Sequence, residues 1–281
     1  MDKGMLFDIV HGSFTDGPGI RTVIFFKGCN LRCHWCHNPE SMNTAREMLF
    51  YENRCTNCGT CKAVCPKKGE GCDLCGVCTQ YCPSSAKKIC GEIWTAEEVM
   101  QEIQKDEMFY NASKGGVTFS GGECMLQVDF LKTLLKRCRE MGIHTAVDTA
   151  GNVDWESFEK IVPFTNTFLY DVKCFSQELH KEGTGVSNER ILRNLEKLSE
   201  CFDGDIIIRI PIIPGYSTDT EELQKIAEFL KKIKHKNIEL LPYHKLGENK
   251  YYALKKNAKI YDVPSKEEME SIEKIFLVKN S

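Results

Sequence analysis

The chain has 281 residues, enough for one large α/β domain plus a small insertion, and its 42% hydrophobic and 27% charged residues are ordinary for a soluble protein. A formal net charge of -3 argues against a nucleic-acid binder, whose affinity needs a basic face. With no apolar run of about eighteen residues and no charged-then-apolar leader at Met1, neither membrane insertion nor secretion is expected, and a cytoplasmic location is.

Residues 6–22 give a short extended piece and then the tight turn Asp16-Gly17-Pro18-Gly19, where glycines on either side of a proline permit unusual backbone angles and close approach of another chain. Thr22 to Lys27 is β-branched and aromatic, a strand leading straight into Cys29-Asn30-Leu31-Arg32-Cys33-His34-Trp35-Cys36. Three thiols at C-x3-C-x2-C spacing do not complete tetrahedral zinc, although His34 or His37 could add a fourth ligand. They can instead grip a 4Fe-4S cube and leave one iron open to a substrate, whereas electron-carrying clusters normally hold four thiolates.

The chain has sixteen cysteines, too many for packing and poorly explained by disulfides in a reducing compartment, and eleven of them fall between Cys29 and Cys82. Within residues 53–92, Cys55, Cys58, Cys61 and Cys65 precede Pro66, and Cys72, Cys75, Cys78 and Cys82 precede Pro83. This is the C-x2-C-x2-C-x3-C-P run of bacterial two-cluster ferredoxins written twice, with paired zinc sites as the alternative. In that pattern the fourth cysteine crosses over, so one cube takes Cys55, Cys58, Cys61 and Cys82, and the other Cys72, Cys75, Cys78 and Cys65. Arg54, Lys62, Lys67, Lys68, Lys87 and Lys88 outnumber Glu70, Asp73 and Glu92, a basic excess that either offsets anionic cubes or is a solvated face. The segment has few large apolar residues and is expected to need its clusters to fold.

From Ile93 onward, helices alternate with short apolar strands, the signature of a parallel barrel or sheet. Thr95 and Glu98 form a capping box opening a helix to about Ala112. Strands are expected at Val117–Ser120, running into Gly121-Gly122-Glu123; at His144–Asp148, ending in Asp148-Thr149; and at Thr167–Val172, ending in Asp171-Val172-Lys173. A helix over Gln127–Met141 stops at Gly142. Further strands cover 206–211, where Arg209 sits inside an apolar run and needs an anionic partner, and Asn237–Pro242, followed by Tyr243-His244-Lys245-Leu246-Gly247. Ser265 and Glu268 cap a final helix to about Val278. Polar groups at the carboxyl ends of successive strands are where barrel enzymes place their sites. Cys90, Cys124, Cys138, Cys174 and Cys201 have no ligand spacing and read as small hydrophobes.

The cysteine triplet resembles that of the radical S-adenosylmethionine (SAM) superfamily. Asp16-Gly17-Pro18-Gly19-Ile20-Arg21 before it and His37-Asn38-Pro39-Glu40 after it resemble one subgroup, the glycyl radical enzyme activating enzymes, which include pyruvate formate-lyase activating enzyme. The resemblance implies a partial (β/α)6 TIM-like barrel over 1–52 and 93–281, interrupted by the two-cluster ferredoxin insert at 53–92. It implies three 4Fe-4S clusters, SAM on the open iron held by Cys29, Cys33 and Cys36, and reductive SAM cleavage to a 5'-deoxyadenosyl radical that takes hydrogen from a glycine of a partner enzyme. It further implies an electron donor such as flavodoxin or ferredoxin.

Residue by residue, the resemblance assigns SAM contacts to Trp35, Cys36, His37, Gly121, Gly122, Glu123, Asp171, Val172, Lys173, Arg209 and His244. It assigns a monovalent cation to Asp148, Thr149 and Asp171, and an approach to the partner's glycine loop to Asp16. Simple pyruvate formate-lyase activators lack the insert, so the chain looks more like activators of enzymes acting on choline, glycerol, 4-hydroxyproline or 4-hydroxyphenylacetate. The alternatives are a radical SAM enzyme acting on a small molecule and an electron-transfer ferredoxin module.

Overall fold

The structure, a computed structural model, describes residues 2–68 and 70–277. β1 (Lys3–Ser13) and β2 (Arg21–Phe26) pair antiparallel, with Ser13 opposite Arg21 and Leu6 opposite Phe26. A small unit then leaves the sheet. In it β3 (Glu47–Phe50) and β4 (Lys87–Cys90) pair antiparallel and bracket α1 (Thr60–Ala63) and α2 (Val77–Gln80). β5 (Glu92–Thr95) returns the chain to the outer side of β1. There follow α3 (Ala96–Gln104), α4 (Glu107–Ser113), β6 (Gly116–Gly121), α5 (Val128–Glu140), β7 (His144–Thr149), α6 (Trp155–Ile161), β8 (Thr167–Asp171), α7 (Gln177–Thr184) and α8 (Glu189–Cys201). The chain continues through β9 (Asp205–Ile212), α9 (Thr220–Leu230), β10 (Asn237–Pro242), α10 (Glu248–Ala253) and α11 (Lys266–Leu277).

The main sheet runs β10-β9-β8-β7-β6-β2-β1-β5, and β2 with β6 to β10 are mutually parallel. Six parallel strands in chain order, joined by helices, match the expected (β/α)6 layout. The extended piece expected from residue 6 is β1, which starts earlier, at Lys3; its antiparallel pairing with β2 and β5 depends on partners that the local sequence does not name. β10 and β5 end the sheet, which therefore does not close on itself.

Side chains alternate between the two faces of each strand, and the sheet uses the two faces differently. Phe26, Phe119, Val147, Phe168, Ile208 and Ile210 belong to the main core with Leu134 of α5 and Leu195 of α8. The intervening positions carry Thr118, Ser120, Asp148, Asp171 and Arg209 beside the apolar Val23, Leu169 and Ile207, so the other face is polar in patches, chiefly where the strands end. Among the described residues, no helix is long and apolar enough to cross a membrane.

Both capping boxes form. Thr95 accepts from the Glu98 amide at 3.2 Å while the Glu98 carboxylate accepts from the Thr95 amide at 2.7 Å, and Ser265 and Glu268 repeat the exchange at 3.1 and 2.7 Å. The single helix expected to Ala112 is instead divided between α3 and α4, because the Asp106 carboxylate is drawn inward by the Thr22 hydroxyl and by His11 at 2.6 Å. α11 is followed to Leu277, and Val278 lies outside the described residues. Cys90, Cys124, Cys138 and Cys174 are buried as expected, but Cys201 is exposed at the end of α8.

The turn after β7 hangs on one side chain: buried Asn194 of α8 donates to the Gly151 carbonyl at 2.9 Å and the Val153 carbonyl at 2.8 Å. Asn194→Ala strands two buried acceptors and should cost about 1–3 kcal/mol, read as a lowered thermal midpoint. An unchanged midpoint would mean water replaces the amide.

Candidate functional site

The thiol loop begins where β2 ends, and its backbone is held from outside. Gly28 and Cys29 amides donate to the Ser41 and Met42 carbonyls at 2.7 and 3.3 Å, and Arg32 and His34 amides to the Thr184 and Gly183 carbonyls at the end of α7 at 2.7 and 2.9 Å. The Asn30 amide group donates to the Asn152 carbonyl at 2.6 Å, and the Arg32 guanidinium folds back on the Cys29 and Leu31 carbonyls at 2.6 and 2.7 Å. Trp35 packs in an aromatic cluster with Tyr216, ring centroids 4.7 Å apart, and Gly183 gives it room: a Cβ there would lie 2.8 Å from the indole.

Burial pushes the Cys29 thiol up to about 12, and burial with the neighbouring Cys33 raises Cys36 as well. Such thiols reach the thiolate form by bonding a metal rather than by losing a proton to water. Among the described residues, no group of three or more His, Cys, Asp or Glu converges on one metal-ion position. A cube is gripped differently, each thiolate on its own iron. Buried polar atoms without a hydrogen-bond partner gather on this loop: Asn30 Oδ1, His34 Nδ1 and His37 Nε2. Three thiols and unpaired polar atoms on one fixed loop fit a polar, multi-centre group.

The Gly121-Gly122-Glu123 turn lies against the same loop. The Gly122 amide donates to the Phe26 carbonyl and the Glu123 amide to the Gly28 carbonyl, both at 2.8 Å. Gly121 has φ +121, and a Cβ on Gly122 would lie 2.2 Å from the Gly28 oxygen, so both glycines are dictated by close approach. The Glu123 side chain is 1% exposed and faces β7: it accepts from the Thr149 hydroxyl at 2.8 Å and the Ala150 amide at 3.0 Å. Burial drives its carboxyl from 4.5 up to about 7, with the Thr149 hydroxyl and the Met125 and Ala150 amides opposing.

The polar face of the sheet brings the strand-end residues together. Register places Arg209 beside Asp171 on one side and Glu239 on the other. Its guanidinium, 5% exposed, meets Glu239 at 3.1 Å and Asp148 at 3.5 Å and donates to the Thr15 carbonyl at 2.5 Å. The anionic partners sought from the sequence are thus supplied by the chain's own carboxylates, which only strand register reveals. Asp148 also accepts from Ser120 at 2.7 Å, and burial lifts it above the ordinary carboxylate range.

Lys173 pairs with Asp171 at 2.6 Å. Burial disfavours its ammonium, but Asp171 and then Cys33 more than compensate and raise it. Val172 is buried, its amide bonded to the Arg209 carbonyl at 2.9 Å. Asp16 arrives by its loop: its carbonyl accepts from Thr118 on β6 at 2.6 Å and its carboxylate from Ser13. His244 stacks on His37, centroids 3.8 Å apart and planes 17° from parallel, and burial first, then His244, lowers His37 to about 4. Of the expected cation set, Asp148 and Asp171 share Arg209's surroundings, while Thr149 is turned to Glu123.

The eight cysteines between β3 and β4 lie on a duplicated backbone. Asn57 and Leu74, Gly59 and Gly76, and Lys68 and Ser85 are each left-handed, seventeen residues apart in every pair. A cavity in this unit is lined by Cys65, Cys72, Cys75 and Cys78, with Met48 and Leu74.

The model of the Radical SAM superfamily matches residues 67–230, more than half of the chain. A radical SAM methyltransferase from Sphaerobacter thermophilus superposes over 96% of this chain and 74% of its own with a TM-score of 0.59, at 13% identity a likeness of fold alone. The chain belongs to the radical SAM superfamily. A trans-4-hydroxy-L-proline dehydratase activating enzyme of Clostridioides difficile is 41% identical over 98% of this chain and 97% of its own. A choline trimethylamine-lyase activating enzyme of Oleidesulfovibrio alaskensis is 41% identical over 90% and 87%. Within the superfamily, the chain is one of the glycyl radical enzyme activating enzymes.

Because the folded protein holds the Glu123 proton more tightly than the unfolded chain, the protonated side chain contributes stability that is whole below pH 4.5 and lost as pH rises through about 7. Glu123→Gln cannot ionise. The stability of the native sequence relative to this variant should therefore fall between those pH values, by up to about 3 kcal/mol. Denaturation curves that run parallel across that range would place the titration elsewhere.

Proposed function

We propose that this chain binds SAM at the thiol loop and passes the resulting radical chemistry to a glycine of a partner enzyme. The observation that carries the proposal is the placement of Cys29, Cys33 and Cys36 on one externally pinned loop above a polar sheet face, in a chain 41% identical over nearly its whole length to an activating enzyme. A 4Fe-4S cube on those thiols would supply an electron to the SAM sulfonium, whose C-S cleavage yields the 5'-deoxyadenosyl radical that removes hydrogen from glycine.

The chain's own residues would bind and orient. The backbone of Gly121 and Gly122 would take the SAM amino group, with the acid of Glu123 turning to it from its bond to Thr149. Lys173 and Arg209 would exchange one of their own carboxylate partners for the SAM carboxylate, and Trp35, His37, Val172 and His244 would wall the adenosyl part and shed water from it. Asp171 steers the Lys173 ammonium, and with Asp148 it would hold a monovalent cation, to which Thr149 would turn from its bond to Glu123. Asp16, fixed from β6 and beside the Arg209 contact, is proposed to meet the partner's glycine loop.

The insert would hold two further cubes, on Cys55, Cys58, Cys61 and Cys82 and on Cys65, Cys72, Cys75 and Cys78. The cavity lined by the second of these sets supports that assignment. Its role would be to receive electrons from a flavodoxin- or ferredoxin-type donor. The partner would be an enzyme of the dehydratase or lyase kind that the relatives' names carry.

Anaerobically reconstituted protein should contain about twelve irons, and Cys33→Ala about eight, with deoxyadenosine formation abolished. Retained cleavage by Cys33→Ala would move the reaction off this loop. Asp16→Asn should leave deoxyadenosine formation intact without partner, yet lower the glycyl radical signal, read by electron paramagnetic resonance with partner present, by about ten-fold or more. An equal fall in both would make Asp16 a SAM-site residue instead.

A further inference from the structure

Lys27 stands outside the site just described, yet it is the residue that joins the last position of β2 to the Gly28-Cys29 start of the thiol loop. Its side chain is fully buried, which for an ammonium demands partners. There are two. Nζ donates to the Glu40 backbone carbonyl, on the far side of the thiol loop, and pairs with the Glu47 carboxylate at 2.9 Å, at the first residue of β3.

The stem is equally constrained. Gly91 lies between β4 and β5 at φ +101, and a Cβ there would lie 2.7 Å from Lys27 Cδ. Lys27 therefore touches both crossings of the insert: Glu47, where the chain leaves for it, and Gly91, where the chain returns. Next to Gly91, the Cys90 thiol donates to the same Glu40 carbonyl at 3.5 Å. The Glu40 carboxylate is tied in turn to Lys250 of α10 at 2.8 Å, and Lys250 reaches Asn38 Oδ1 at 2.6 Å.

We infer that Lys27 is a positioning residue that holds both crossings of the insert in register with the loop bearing Cys29, Cys33 and Cys36. Electron delivery from insert to barrel is steep in distance, so a slack junction would slow it without touching either set of thiols. The consequence for electron delivery rests on the proposed reading of the insert as a cluster carrier; the tie itself does not. Each delivery oxidises the donor by one electron and reduces the barrel centre by one.

The test uses reconstituted full-length protein with Lys27→Met, which keeps the stem and removes the charge, and Glu47→Gln, which keeps the shape of the acceptor. Amide hydrogen exchange over residues 38–47 and 88–92 should quicken by about ten-fold or more in both variants, with the iron content unchanged. Reduction of the barrel centre by a reduced flavodoxin, followed by stopped-flow absorbance, should slow by about ten-fold. Lys256→Met, which removes the half-exposed partner of Glu47 at 3.7 Å, should stay within about two-fold of the native sequence.

Exchange within about two-fold of native in both variants would overturn the inference, whereas faster exchange with unchanged reduction by flavodoxin would uphold the tie and overturn its consequence for electron delivery. If Lys27→Met fails to load iron, Glu47→Gln decides by the same measures. A native protein with only about four irons would remove the cluster reading of the insert, and hydrogen exchange would still decide whether Lys27 holds the junction.

Discussion

The loop bearing Cys29, Cys33 and Cys36 bonds only part of its own backbone, the Cys36 amide to the Cys33 carbonyl at 3.2 Å, and the amides of Gly28, Cys29, Arg32 and His34 are held by other parts of the chain. Ser41 and Met42 hold its start, and Gly183 and Thr184 at the end of α7 hold its middle. The Gly121-Gly122 turn presses on it from β6, with no room for a single extra carbon. Helix α7 is thus as much part of the site as the loop is, although no residue of α7 was singled out from the sequence. Tyr216 completes this support: it packs on Trp35 and donates its hydroxyl to the Leu179 carbonyl of α7.

The same economy governs the charges on the polar sheet face. Asp148, Asp171 and Glu239 surround Arg209 and Lys173, so the face is dense in charge and each cation is paired, with one carboxylate in excess. Isolated buried charges are costly, whereas paired ones hold geometry. A zwitterionic ligand such as the methionyl part of SAM, with one ammonium and one carboxylate, is the kind of group that can insert into such an array by exchanging like for like. The Arg209 bond to the Thr15 carbonyl extends the array to the Asp16 loop, which begins at β1 and reaches across to β9.

Much of this was legible in the sequence because it is encoded by spacing. Thiols at C-x3-C-x2-C, the doubled ferredoxin-like run, both capping boxes and the period of the parallel strands are local statements, and they could be read residue by residue. What escaped is non-local. The partners of Arg209 follow from strand register, since Glu239 lies thirty residues on and Asp148 on a strand two away. Glu123 was expected to face a ligand, and its bond to Thr149 depends on how β6 and β7 end side by side. The division of α3 from α4 comes from Asp106 reaching Thr22 and His11, both far earlier in the chain. Lys27 gave no signal of its own beyond closing the expected strand, because a lysine at a strand end looks solvated.

The seventeen-residue duplication between β3 and β4 has one outcome of its own. The cavity there takes Cys65 from the first copy and Cys72, Cys75 and Cys78 from the second, so neither copy encloses it alone. Two halves interlocked in this way are not interchangeable spares. A chain shortened by one copy would keep only part of the wall of this cavity, because the two copies enclose it jointly.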